Sequence, residues 1–154
     1  MPALKPGDRA PDFRLPNQDG KEVVLSEVLA KSAVVLFFYP KDDTPTCTRE
    51  ACAFRDAYDD FVAAGATVIG ISQDPASAHR RFADKHGLPF TLVSDTTGSV
   101  RAAYRVPRVL FVMPGRTTFV IDQSGVVRHS FTSQRGAESH VREALAHLPG
   151  RRDP

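Results

Sequence analysis

Apolar and polar positions along the chain fall into blocks that switch between two periods. Residues 33–39, AVVLFFY, form a continuous apolar and aromatic run, the pattern of a strand buried on both faces. Pro40 ends the run, and Lys41-Asp42-Asp43 makes a polar loop. From Thr44 the period changes. Ala51, Phe54, Tyr58, Phe61 and Val62 recur at helical spacing as far as Gly65. Thr44 suits an N-cap and Pro45 the first helical position, so the pattern predicts a helix over 44–65. TVIGIS, 67–72, predicts the next strand. Asp74-Pro75 has the form of a cap followed by proline and opens a helix to His86, ended by Gly87 and Pro89. TLVSD predicts a short strand and SVRAAY a short helix. TTFVID (117–122) and VVRHSF (126–131) predict a hairpin around Gln-Ser-Gly. A last helix carries Ala137, Val141, Ala144, Leu145 and Leu148 and stops at Pro149-Gly150. At the front, DFRLPNQDGKEVVL predicts two short strands around a turn at Asn17 to Gly20. Strands alternate with helices, then a hairpin and a helix close the chain: an α/β class with a mixed central sheet.

Length and composition narrow the class. A chain of 154 residues predicts one domain over 1–154, large enough for a core without disulfide staples. With no Trp, Phe and aliphatic side chains must fill that core. A net charge of +2 gives no argument for nucleic acid, and the pairs Arg80-Arg81 and Arg151-Arg152 are short and far apart in sequence. The stretch MPALKPGDRAPDF has no apolar targeting core, and the longest apolar run, Ala33 to Tyr39, is far short of a membrane span. The expectation is a soluble, cytoplasmic protein without a membrane partner. In that reducing compartment a cysteine pair points to catalysis or metal binding rather than a permanent staple.

The only two cysteines, Cys47 and Cys52, lie five apart in TPTCTREAC. Metal fits them poorly, because structural zinc takes four ligands and this C-x4-C has no partner pair. His79 and His86, like His140 and His147, stand seven apart on predicted helices, a spacing that arises freely on solvated faces. Packing suits Cys52. It suits Cys47 less, since the first helical turn beside a polar loop offers little to pack against. Redox chemistry accounts for the position itself. The first turn presents unpaired N–H groups and the positive end of the helix dipole. That effect is worth only ~0.3–1 kcal/mol. One arginine at about 5 Å supplies on the order of 3 kcal/mol at an effective dielectric of ~20. An arginine from elsewhere in the fold is therefore expected at Cys47. Residues five apart on a regular helix stand roughly 8–9 Å apart at Cα, beyond the roughly 4.4–6.8 Å of a disulfide. If the two thiols pair, the first turns of the helix must unwind.

The segment FYPKDDTPTCTREACAFRD resembles the active-site segment of a peroxiredoxin, closest to the branch called bacterioferritin comigratory protein or PrxQ. The family's P-x-x-x-T-x-x-C reads here Pro40-Lys-Asp-Asp-Thr44-Pro-Thr-Cys47, and a second cysteine five residues on is typical of that branch. Its late R-x-[ST]-F-[LV]-I-D pattern reads RTTFVID, Arg116 to Asp122, and its N-terminal phrase reads Gly7-Asp-Arg-Ala-Pro-Asp-Phe-Arg-Leu15. The order of elements is likewise similar to thioredoxin. The resemblance implies a thioredoxin-like fold and a thiol peroxidase for hydrogen peroxide or small organic hydroperoxides. Cys47 would be the nucleophile, becoming a sulfenic acid that Cys52 attacks to give an intramolecular disulfide, which thioredoxin or a similar dithiol reduces. Arg116 would supply the cation, Thr44 a hydroxyl at the sulfur and the peroxide, and Pro40 a wall without an N–H. No metal or other cofactor is implied, and a monomer is expected because that branch includes many.

The ordinary alternatives stand beside these roles. They are N-capping for Thr44, strand termination for Pro40 and a surface position for Arg116. Glu50, an acid often found in this branch as C-x-x-E-x-C, would orient an arginine or be a solvated acid near the helix start. Thr46 replaces a glycine common in the family, and the run Val109 to Met113 suits a peroxide pocket, a partner-facing patch or core. Two other functions fit the same fold: a general thiol–disulfide oxidoreductase, which more naturally carries C-x-x-C, and a redox sensor or chaperone-like module that uses helix melting without turnover.

Overall fold

A computed structural model describes residues 3–109, 113–114, 116–133 and 136–148, with the backbone alone at 108, 109, 113 and 114. Most of the apolar run 109–113 and the pairs Pro149-Gly150 and Arg151-Arg152 lie outside the described residues. The chain runs β1 (Arg14–Pro16), β2 (Glu22–Val24), α1 (Leu25–Leu29), β3 (Ala33–Phe38), α2 (Pro45–Asp56), α3 (Tyr58–Ala63) and β4 (Ala66–Ser72). It continues through α4 (Ala76–His86), β5 (Thr91–Ser94), α5 (Ser99–Ala103), β6 (Arg108–Val109), β7 (Met113–Pro114), β8 (Thr117–Ile121), β9 (Val127–Thr132) and α6 (Ala137–Ala146). The main sheet has the order β5-β4-β3-β8-β9. Strands β3, β4 and β5 are parallel, while β8 and β9 run antiparallel to their neighbours.

Strand β3 is central, and every one of its residues is buried, as a continuous apolar run requires. Its alternate side chains feed two cores. Val35 and Phe37 join Phe54, Phe61, Phe82, Leu92, Val120 and Val141 on the face covered by α2, α3, α4 and α6. Val34, Leu36 and Phe38 join Leu25, Leu29, Val100, Tyr104, Phe119 and Ile121 on the face covered by α1 and α5.

The helix expected over 44–65 is two helices. The backbone turns out of helical geometry at Ala57 (φ −97°, ψ 8°), which keeps Phe61 fully buried and leaves Val62 53% exposed. The cap expected from Asp74 also differs. Pro75 occupies the cap position of α4 without a side-chain bond, because Asp74 Oδ2 instead accepts from the Ser72 hydroxyl at 2.6 Å and the Asp42 backbone N–H at 2.8 Å.

Gly70 carries the support of the site's helix. It lies opposite Phe37 in the β3–β4 pairing, and a Cβ there would fall 2.7 Å from Phe37 Cζ and 2.8 Å from Leu92 Cδ2. The Phe37 ring in turn stacks on Phe54 of α2 with centroids 4.4 Å apart. Gly70→Ala is expected to destabilise the fold by about 1–3 kcal/mol through overpacking, read as a lower urea midpoint. An unchanged midpoint would mean that Phe37 moves aside freely.

Candidate active site

The loop after β3 delivers the chain to the start of α2. Pro40 is half-buried at the strand end, and Asp43 takes the left-handed conformation (φ 61°) that turns the chain into the helix. Thr44 is the cap residue of α2 by backbone geometry and Pro45 its first residue. The expected side-chain cap is not made: the Thr44 hydroxyl donates back to the Lys41 carbonyl at 3.0 Å. Thr46 sits in ordinary helical backbone, so that position does not require glycine.

Cys47 lies in the first turn of α2 and is 1% exposed; Cys52, further along the same helix, is half-buried, and both thiols are free. Arg116, just before β8, is buried and donates from Nη2 to Cys47 Sγ at 3.0 Å. The cation demanded at that sulfur thus comes from a residue 69 positions away in sequence. This is the cation that the redox reading of Cys47 requires. The surface alternative for Arg116 is excluded by its burial, and the core-packing alternative for Cys47 must accommodate a charged neighbour.

Glu50 is the second acid–base feature. Only 1% exposed, it is no solvated acid. Its Oε1 accepts from Arg116 Nη1 at 3.2 Å, while the buried Oε2 has no hydrogen-bond partner among the described residues and lies 3.5 Å from His140 Nδ1. Burial pushes the Glu50 carboxyl from 4.5 up to about 7, with Arg116 working in the opposite direction. His140 completes the cluster from α6. Its Nε2 donates to the Ser133 carbonyl at 2.9 Å and its Nδ1 meets the Thr118 hydroxyl at 2.8 Å. Burial holds His140 below the ordinary histidine value against the pull of the Ser133 carbonyl, and Arg116 lowers it further. A neutral ring with the proton on Nε2 satisfies both contacts, with Thr118 as donor to Nδ1.

Because its folded value is raised, the Glu50 carboxyl contributes most to stability below its ordinary 4.5, and that contribution is lost as pH climbs through about 7. Glu50→Gln removes the ionisation. Its stability relative to the parent chain is expected to improve from pH 5 to pH 8 by on the order of 2–3 kcal/mol. A difference independent of pH would refute the burial account.

Two expectations about histidines are corrected. His79 and His140 are 0% and 1% exposed, not on solvated faces. Each occupies the buried stripe of its helix, His79 with Phe82 and Ala83, His140 with Ala137, Val141 and Ala144. That i, i+3, i+4 spacing was the available signal. Among the described residues, two groups have metal-ligand proximity, His129-Glu143-His147 and Asp42-Asp74-His79, and neither includes a cysteine. No helix among the described residues is long and apolar enough to cross a membrane.

Comparison with known proteins places this arrangement. The model of the AhpC/TSA family matches residues 6–130. The chain belongs to the AhpC/TSA family. Two of its curated relatives carry the name peroxiredoxin Q. That of Triticum aestivum, named chloroplastic, is 51% identical over 140 residues, covering 90% of this chain and 64% of the relative. That of Arabidopsis thaliana, also named chloroplastic, is 50% identical over 143 residues, covering 92% and 66%. The chain thus spans about two thirds of the length of these plant peroxiredoxins. Among solved structures, peroxidoxin BcpB from Mycobacterium tuberculosis is 42% identical, with a TM-score of 0.90 over 97% of this chain and 99% of that one. Peroxiredoxin Q of Xanthomonas campestris is 30% identical, with a TM-score of 0.81 over 88% and 89%. The five-stranded mixed sheet flanked by helices is the thioredoxin-like fold of the peroxiredoxins.

Proposed function

We propose that this chain is a thiol peroxidase for hydrogen peroxide and small organic hydroperoxides. The observation that carries the reading is the Arg116 guanidinium on Cys47 Sγ in the first turn of a helix that also carries Cys52. The Cys47 thiolate attacks the nearer peroxide oxygen, the O–O bond breaks, and the leaving oxygen takes a proton to depart as water or an alcohol. Cys47 is left as a sulfenic acid. Arg116 holds the thiolate and the polarised oxygens. The Thr44 hydrogen is already committed to Lys41, so Thr44 offers the peroxide a lone pair that accepts from its O–H. Pro40, half-buried and without an N–H, walls the pocket. The first turns of α2 then unwind and the Cys52 thiolate attacks the Cys47 sulfur. The disulfide forms, and the hydroxyl leaves with a proton as water. A dithiol of the thioredoxin type donates two electrons and two protons and restores both thiols.

The work is assigned to a single domain acting as a monomer, the state that the resemblance to this branch implies. Its compartment is one that supplies the dithiol. The cytoplasm expected from the sequence is one such place, while the plant relatives are named for the chloroplast. No cofactor enters this cycle.

The test is peroxide-dependent NADPH consumption with thioredoxin and thioredoxin reductase. Turnover is expected in the parent chain. Cys52→Ser is expected to undergo the first oxidation and stop as a sulfenic acid, detectable by mass. Full thioredoxin-linked turnover in that variant would unseat Cys52. Peroxide oxidation of the parent chain without turnover would favour the sensor reading, and disulfide exchange without peroxide consumption the general oxidoreductase.

A further inference from the structure

The Lys41-Asp42-Asp43 loop before α2 is held by a buried network that the peroxide chemistry does not use. Asp42 is 8% exposed and His79 0%. Asp42 Oδ1 accepts from the Tyr39 hydroxyl at 2.5 Å, and Asp42 Oδ2 meets His79 Nδ1 at 2.6 Å. His79 Nε2 lies 3.0 Å from the Val93 carbonyl, which can only accept, so Nε2 carries a proton. The contact at Nδ1 then needs a second proton, on the ring or on the acid. Separating Asp42 from His79 strands a buried polar group. The Asp42 backbone N–H also donates to Asp74, itself fixed by Ser72. The next acid, Asp43, is strapped to the same helix α4 by Lys85 Nζ at 3.0 Å.

Every partner of Asp42 in this network lies on β3, β4, α4, β5 or the segment just after them, and none lies on α2. The contacts that fix the first half of α2 are of another kind. They run from Cys47 and Glu50 to Arg116, with Cys47 and Ala51 also packed in the apolar core. Beyond them Phe54 is fully buried and stacked on Phe37. Unwinding can break the Arg116 contacts while leaving the network at Asp42 and the stack at Phe54 intact.

We propose that the Asp42–His79 pair is the fixed anchor from which α2 unwinds, a positioning device that confines the unfolding needed for the Cys47–Cys52 reaction to residues 44–53. It rests on the disulfide-forming cycle proposed above. Asp42 and His79 touch no reacting atom. They act by keeping the end of β3 in place, so that the melted segment starts from a fixed point and Cys47 stays within reach of Cys52.

Backbone amide exchange, measured by NMR on the reduced and the peroxide-oxidised chain, tests this. On oxidation the amides of Thr48 to Cys52 are expected to exchange faster by ~10²-fold or more, while the Asp42 and Tyr39 amides change by less than about 3-fold. In His79→Gln the Tyr39 amide, which donates to Ile71 at 3.1 Å, is expected to become sensitive to oxidation, a change that plain loss of stability in both redox forms would not produce. Loss of Asp42 protection together with that of Thr48 to Cys52 in the parent chain would overturn the anchor alone. A Tyr39 amide equally insensitive in His79→Gln would do the same. If mass analysis finds no intramolecular disulfide after oxidation, the cycle and the anchor fall together.

Discussion

Cys47→Ser is expected to abolish peroxide reduction, lowering the rate by more than about 10³-fold. A serine hydroxyl ionises far above neutral pH and makes a poor nucleophile towards an O–O bond. The substitution preserves the shape of a position that is 1% exposed in the first turn of α2, so the fold is expected to survive it. The check is stopped-flow peroxide consumption beside a thermal melt. Retained activity in a folded variant would place the nucleophile elsewhere, and Cys52 is the only other sulfhydryl.

Arg116→Ala carries the second large effect. The guanidinium is a shared donor, with one nitrogen on Cys47 Sγ at 3.0 Å and the other on Glu50 Oε1 at 3.2 Å. Among the described residues its removal takes away the cation that donates to the sulfur and the guanidinium paired with buried Glu50, which moves the Glu50 carboxyl further in the direction burial already drives it. Oxidation of Cys47 by peroxide is expected to slow by about 10²–10³-fold, the usual loss when one preorganised donor to a developing charge is deleted. Arg116→Lys is expected to recover part of that rate, because an ammonium supplies charge without the fork that reaches both partners. Equal rates for the parent chain and both variants would remove Arg116 from the site.

Most of the fold was legible because β3 and α2 announce themselves in opposite periods. AVVLFF can be buried on both faces only at the centre of a sheet, and Thr44-Pro45 marks where the helix begins. The break at Ala57 was not legible, since Tyr58, Phe61 and Val62 continue the helical spacing and only packing shows that Val62 faces outward. In the site, the demand for a cation at Cys47 followed from electrostatics, but the choice of Arg116 among the arginines came from the family pattern RTTFVID. The antiparallel pairing of β8 with β3 is what brings it there. Glu50 remained open between solvent and arginine until its burial was seen. His79, His140 and Asp42 were missed because a charged or imidazole side chain in an apolar helix stripe or a polar loop reads as solvated, and only partners distant in sequence satisfy it.

The most direct test is the mass and disulfide map of the reduced chain after one equivalent of hydrogen peroxide. The account predicts a loss of two hydrogens per chain and one cross-link joining the peptides that carry Cys47 and Cys52. A chain that remains a dithiol on the timescale of catalysis, or that is cross-linked only between two copies, would contradict it.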